Sequence, residues 1–227
     1  MASTNLVLLV FCTRLHQAAI FSLSLLLGLP FMSYGQEARI FSNEFLSIGL
    51  GARAQGMGNS YVATTNDVYS LYWNPAGLAE VVTAMQIAYK HAESFAGIAN
   101  YDFAGLAIKN KDSNTLAFGL IRFGVDDIPN TLYLIEPDGT VNYDNITDFS
   151  VADYAFFGSY GRTVGKFQLG CSAKVIHRRV GPFATAWGFG LDFGAKYQLG
   201  KNFKIGVMGR DITSTFNAWN INLSDAD

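Results

Sequence analysis

The sequence predicts an all-β fold: a transmembrane antiparallel β-barrel preceded by a glycine-rich N-terminal segment. Three observations predict it. Past an apolar leader the chain has no second run of about 18 apolar residues, so it offers no helical span. Its downstream part alternates apolar with small or polar residues over stretches longer than the roughly 5–6 residues of a mean strand. The connections between those stretches alternate between short and long, as in outer-membrane barrels. Composition agrees: half of the 227 residues are apolar and 15% are charged, against roughly 25% in soluble domains.

Residues 1–35 read as a signal peptide. Arg14 and His16 precede an apolar run from Ala18 to Met32, and Ser33 and Gly35 stand at the −3 and −1 positions of a cut before Gln36. The run is short for the roughly 20 residues of a spanning helix and contains Pro30. Arg14 is the first positive side chain, which leaves the true start of the chain open. Phe11 before Cys12 is too bulky for a lipoprotein processing site. Loss of Arg14 with the leader leaves 15 cations against 18 acids, a net −3, which gives no basic footprint for nucleic acid. Cys171 is then the one cysteine, so no intrachain disulfide is expected. His16, His91 and His177 lie far apart and suggest no metal site, and nothing calls for a cofactor.

Residues 36–80 read as a plug. Gly49, Gly51, Gly56 and Gly58 permit tight backbone, Asp67 to Trp73 suits a short helix, and Asn74-Pro75 marks a turn. Two catalytic patterns come close and fail. Gly51 to Gly56 has phosphate-loop spacing, but Met57 and Gly58 stand where Lys and Ser/Thr are required. Gly49-x-Gly51 opens a dinucleotide fingerprint, but Ala54 replaces its third glycine.

Residues 81–227 read as barrel wall, with strands at 81–90, 98–109, 114–124, 151–162, 166–178, 185–199 and 202–210. The clearest is 185–199, with Trp187, Phe189, Leu191, Phe193, Ala195, Tyr197 and Leu199 on one face and Asp192, Lys196 and glycines on the other. The short turns are 110–113, 163–165 and 200–201; the longer loops are 91–97, 125–150, 180–184 and whatever follows Asp211. Single-chain bacterial barrels have an even number of strands, from 8 up. Seven strands and a polar, loop-like end, Ser224 to Asp227, therefore suggest a piece of a longer protein, cut in an extracellular loop. A plug of this size also needs a lumen wider than eight strands enclose.

Gly51-Ala-Arg53-Ala-x-Gly56-Met-Gly58, followed by Asp67 and then Asn74-Pro75-Ala76-Gly77-Leu78, resembles the PorV/PorQ family of type IX secretion outer-membrane proteins. Gly124 to Asn130, Phe183 to Gly190 and Arg210 to Trp219 are similar too. The resemblance implies a barrel of FadL type, about fourteen strands in the full-length family with roughly the first seven or eight present here. It implies an N-terminal hatch holding Gly51, Arg53, Gly56, Gly58, Asp67, Asn74, Pro75 and Gly77. It further implies residence in the outer membrane of a Gram-negative bacterium of the Bacteroidetes. There the protein would bind the C-terminal domains of secreted cargo, the type IX translocon or surface-attachment proteins. The competing function is a FadL-like channel for long-chain fatty acids or other hydrophobic compounds. An enzyme is not expected, since no nucleophile, base and orienter pattern stands out.

The candidate partner-binding loop is 125–150, longer than the roughly 12–15 residues beyond which loops are usually functional. It carries Asp126, Asp127, Leu132, Tyr133, Tyr143 and Phe149. Aromatic-rich exposed segments of this kind suit protein interfaces.

Overall fold

The computed structural model describes residues 43–110, 114–200, 203–213 and 216–221. The expected signal peptide, and the part of the plug before Asn43, lie outside them. Eight strands follow an N-terminal segment: β1 (Met85–Ser94), β2 (Ala99–Lys109), β3 (Asn114–Asn130), β4 (Thr147–Val164), β5 (Phe167–Val180), β6 (Ala184–Leu199), β7 (Phe203–Gly209) and β8 (Phe216–Ile221). Each pairs antiparallel with its sequence neighbour from β1 to β7, while β8 pairs with β6. The sheet curls into a half-barrel.

β7 and β8 are one strand position broken in two. β7 pairs with Phe193–Leu199 of β6 and β8 with Ala184–Phe189. At the break Asp211 turns inward, its N donating to a carboxylate oxygen of Asp192 at 2.8 Å, while Ile212 N still donates to Leu191 O at 2.9 Å. The pattern predicts a loop after Asp211; the ladder instead resumes at Phe216.

Strand limits also differ where polar residues continue the ladder. Val81 is fully buried and accepts from Lys109 Nζ at 2.7 Å, so the sheet begins four residues beyond it, and β1 runs on through His91 to Ser94. β3 passes a bulge at Asp127, whose φ is +57°, and pairs again through Ile128–Asn130. The expected loop 125–150 therefore shrinks to residues 131–146. The connections 95–98 and 181–183 are short as well. The sorting of connections by length thus survives at one loop only, because extended backbone tolerates Asp126 and Asp148 where hydropathy suggested an end.

Alternation decides the two faces. The concave face of β6 presents Ala186, Gly188, Gly190, Asp192, Gly194 and Lys196, all buried, and its convex face presents Trp187, Phe189, Leu191 and Phe193 at 54%, 49%, 38% and 47% exposure. The N-terminal segment packs on the concave side. It contains a 3-10 turn (Glu44–Ser47), α1 (Ala52–Gly56), α2 (Ser70–Trp73) and a second 3-10 turn (Pro75–Glu80). Leu50, Leu71, Tyr72, Trp73 and Leu78 form one cluster with Tyr101, Phe103, Ile121, Phe157 and Ile176 of the wall. None of the described helices is long and apolar enough to cross a membrane.

Candidate functional site

The N-terminal segment is seated on the wall through its Asn74-Pro75-Ala76-Gly77 turn. Asn74 Oδ1 accepts from Ala76 N at 3.1 Å and so caps the turn, with Pro75 at its first position. Asn74 Nδ2 donates to Val62 O at 2.9 Å and to Val207 O of β7 at 3.4 Å. The turn lies against three glycines directly opposite one another on β4, β5 and β6: Gly161, Gly170 and Gly194. A β-carbon at Gly161 would lie 2.7 Å from Pro75 O. One at Gly170 would overlap the Pro75 backbone, and one at Gly194 would overlap Asn74 Oδ1. The row is a slot without side chains into which the turn fits.

The other motif residues hold the segment to itself. Asp67 accepts from Tyr61 OH at 2.9 Å and from Tyr69 N at 3.0 Å. Gly77 packs where a β-carbon would meet Thr65 O at 2.5 Å. Gly51 is buried at φ +86° just before α1; Arg53 lies over the Tyr61 ring, 5.5 Å to its centroid. Gly56 ends α1, and Gly58, at φ +60°, follows in open space. The structure brings Asn74 and Pro75 together on the wall, packs Gly77 against Thr65 and Ser70 within the segment, and leaves Arg53, Gly56 and Gly58 exposed.

Two groups of charges reinforce the seat. Lys196, 2% exposed, donates to Thr65 O at 2.6 Å and to Glu80 at 2.9 Å, and Lys204 reaches the same Glu80 oxygen at 3.1 Å. Burial opposes ionisation of Glu80, but the hydrogen bonds and charge of Lys196, then of Lys204, outweigh it and hold the carboxyl below its ordinary range. Above it, Lys174 lies 2.9 Å from both Asp192 and Asp211, and the neighbouring Arg210 donates to Tyr72 O at 3.2 Å and covers the Tyr72 ring at 4.6 Å. The alternation of β6 puts Asp192 and Lys196 on the face opposite its aromatic residues, and that of β5 puts Lys174 on the same inner face. Their partners Glu80 and Asp211 have no sequence signal, because one lies in the N-terminal segment and the other at the break between β7 and β8, and both contacts exist only once the register is set.

The candidate loop residues divide. Leu132, Tyr133 and Tyr143 are in the connection 131–146, exposed at 60%, 51% and 73%. Asp126 and Asp127 belong to β3 and Phe149 to β4, a correction to their placement in a loop. Asp126 is bound to Arg122 at 2.8 Å, and Phe149 packs edge-on against Phe183, 5.4 Å between centroids. A short hairpin inside the loop is closed by Ile135 pairing with Val141.

Fold and site together define an antiparallel half-barrel with its N-terminal segment docked in the concave face. Compared with known proteins, the chain matches no family model and no curated protein.

Proposed function

We propose that the sheet is part of the wall of an outer-membrane barrel of FadL type, with residues up to Glu80 as its periplasmic hatch. On this reading the barrel serves the type IX protein secretion system by binding the C-terminal domains of secreted cargo, or the translocon and attachment proteins that handle it. Its work is recognition and not bond chemistry. The observation that carries the proposal is the seat of the hatch. Of the two stretches behind the resemblance to the PorV/PorQ family, the second, Asp67 and Asn74 to Leu78, shapes the segment and fits it into the glycine slot.

The convex face supports placement in a membrane. On β5 its outward residues Val175, Ala173, Cys171, Leu169 and Phe167 carry no charge. They span about 26 Å of strand at about 3.3 Å per residue. A tilt of about 40° reduces that to about 20 Å of height, close to the roughly 25 Å apolar band of known barrels. Directly above Val175, the facing residues His91, Asp102, Arg122, Tyr154, His177 and Trp187 form one polar and aromatic row across six strands. Such a row suits the membrane–water boundary.

The test is removal of the full-length gene in a strain with no redundant paralogue. Cargo bearing the C-terminal secretion signal is expected to accumulate in the periplasm. Normal secretion would overturn the proposal.

A further inference from the structure

We infer that the cavity between the β1–β2 turn and the bulge of β3 receives a lysine or arginine side chain from the C-terminal domain of secreted cargo. The inference rests on the secretion reading and deepens it, since it names the chemistry by which this rim holds its partner. The cavity holds about 420 Å³. Ile98, Val125, Ile128 and Pro129 supply its apolar walls, and Asp126 and Asp127 its charge.

The bulge builds it. The β2–β3 ladder ends at Ala99 opposite Val125, so Ile98 and Gly97 run on alongside Asp126 and Asp127, and all four line the cavity. The pairing of β3 with β4 breaks between Val125 and Ile128, where Asp127 is exposed at φ +57°. A bulge of this kind re-aims a side chain at the end of a sheet. The two carboxylates then differ. Arg122 Nη2 reaches both oxygens of Asp126 at 2.8 Å, so that charge is answered. Asp127 forms no ion pair among the described residues, and the lining holds no Lys, Arg or His. One negative charge is left over beside aliphatic walls. A lysine or arginine is complementary to both, because its methylene stem covers apolar surface while its charged end meets the carboxylate.

The surroundings select a protein as the source of that side chain. Among the described residues no three His, Cys, Asp or Glu come together as metal ligands. A free amine would leave the turn bare, where Phe95 and Ile98 are 80% and 61% exposed. The turn holds Phe95 at φ +55°, backbone that a bulky residue rarely adopts and that clusters at binding sites. From Phe123 to Gly161 the chain carries seven acids and no Lys, Arg or His, so the connection 131–146 continues the same sign of charge. That connection also continues the exposed apolar surface, through Leu132, Tyr133 and Tyr143. A protein surface with basic side chains around an apolar centre answers both features. The rim lies at the strand ends away from the hatch seat: Thr115 of β3 faces Gly161 of the slot, and Val125 is at the far end of the same ladder. With the hatch periplasmic, the rim faces outward, where exported cargo emerges.

The experiment uses the full-length protein in detergent and the purified C-terminal domain of a secreted protein of the same bacterium. Calorimetry measures their affinity at low salt, about 0.1 M, and at about 1 M, where the screening length falls to about 3 Å. Asp127→Asn removes the charge and keeps a residue type suited to positive φ. It should bind about fivefold more weakly at low salt, the effect of one exposed ion pair, and no more weakly than the parent at high salt. Ile98→Asn should lose about threefold at both salts, because apolar contact is not screened. Equal affinity of the parent and Asp127→Asn at low salt overturns the inference and leaves the secretion reading standing. A loss in Asp127→Asn that persists at high salt, or full affinity in Ile98→Asn, does the same. A folded parent that does not bind the domain at all overturns both.

Discussion

The side-chain oxygen of Asn74 fills the space in which a β-carbon at Gly194 would begin. That oxygen is also the acceptor that caps the turn at Ala76 N, so it has no freedom to retreat without losing the cap. Gly194→Val should therefore destabilise the folded protein by about 1–3 kcal/mol, the usual cost of forcing atoms into a packed site. Gly158→Ala is the control, since nothing lies within 4 Å of its β-carbon position. Thermal unfolding of the full-length protein in detergent measures both. Equal midpoints for the two variants would refute the slot.

Glu80 gives the seat a pH dependence. Its carboxyl ionises below the ordinary carboxylate range because Lys196 and Lys204 outweigh the cost of its burial. A group whose folded pKa is depressed contributes stability above its unfolded pKa and loses it as pH falls through the folded one. The thermal midpoint should thus be level near neutrality and fall on acidification through and below pH of about 4.5, the ordinary value of the group. Glu80→Gln should flatten that part of the curve. At neutral pH it should cost about 1–3 kcal/mol, because the buried Lys196 ammonium keeps Thr65 O and loses its counter-charge. The partial exposure of Glu80 keeps the cost below that of a fully buried pair. An unchanged acid limb in Glu80→Gln would remove Glu80 from the account.

The two faces of β5 and β6 were legible because a strand turns alternate side chains to opposite sides, and Trp187, Phe189, Leu191 and Phe193 need no tertiary information to be sorted from Asp192 and Lys196. The Asn74-Pro75 turn was legible for the same reason: its chemistry is local. Strand ends were less so. Asp126 and Asp148 look like loop residues to hydropathy, yet backbone pairing carries them into β3 and β4. What escaped entirely is non-local. The row Gly161, Gly170 and Gly194 exists only once register is set, and so do the contacts of Lys174 with Asp211 and of Lys196 with Glu80.

The convex face supplies a test of membrane placement. Leu191 sits one row from the middle of its apolar rows, so Leu191→Arg should cost about 2–4 kcal/mol if that face meets lipid near mid-depth. Gly190→Arg is a poor comparison, since a β-carbon there already lies 2.5 Å from Asp211 Oδ1. Ile135→Arg is a better one: Ile135 is 67% exposed in the connection beyond the rim, and its charge should cost under about 0.5 kcal/mol. Folding yields into lipid vesicles report the difference. Equal yields for Leu191→Arg and Ile135→Arg would show that the convex face does not meet lipid.

The connection 131–146 separates the two functions. Its hairpin is bonded within itself: Glu136 N donates to Thr140 O, Asn142 N to Leu134 O, and Asn142 Nδ2 to Glu136 Oε1, all at 2.9 Å. Deleting residues 132–143 removes those bonds together with the exposed Leu132, Tyr133, Ile135 and Tyr143, and leaves the pairing of Asn130 with Thr147 at the root. Loop-closure entropy changes slowly with length, so the shortened barrel should fold with a midpoint near that of the parent. If the loop collects secreted protein, cargo with the C-terminal signal should accumulate in the periplasm while uptake of long-chain fatty acids stays normal. If the barrel is instead a FadL-like channel, secretion should be intact. Uptake should then respond to Asn74→Ala, which removes the bond to Val62 O inside the hatch and the bond to Val207 O of the wall, more than to the loop deletion. Secretion and fatty-acid uptake measured in the same two variants decide between them, and normal secretion in a stably folded loop deletion would remove this loop from cargo binding.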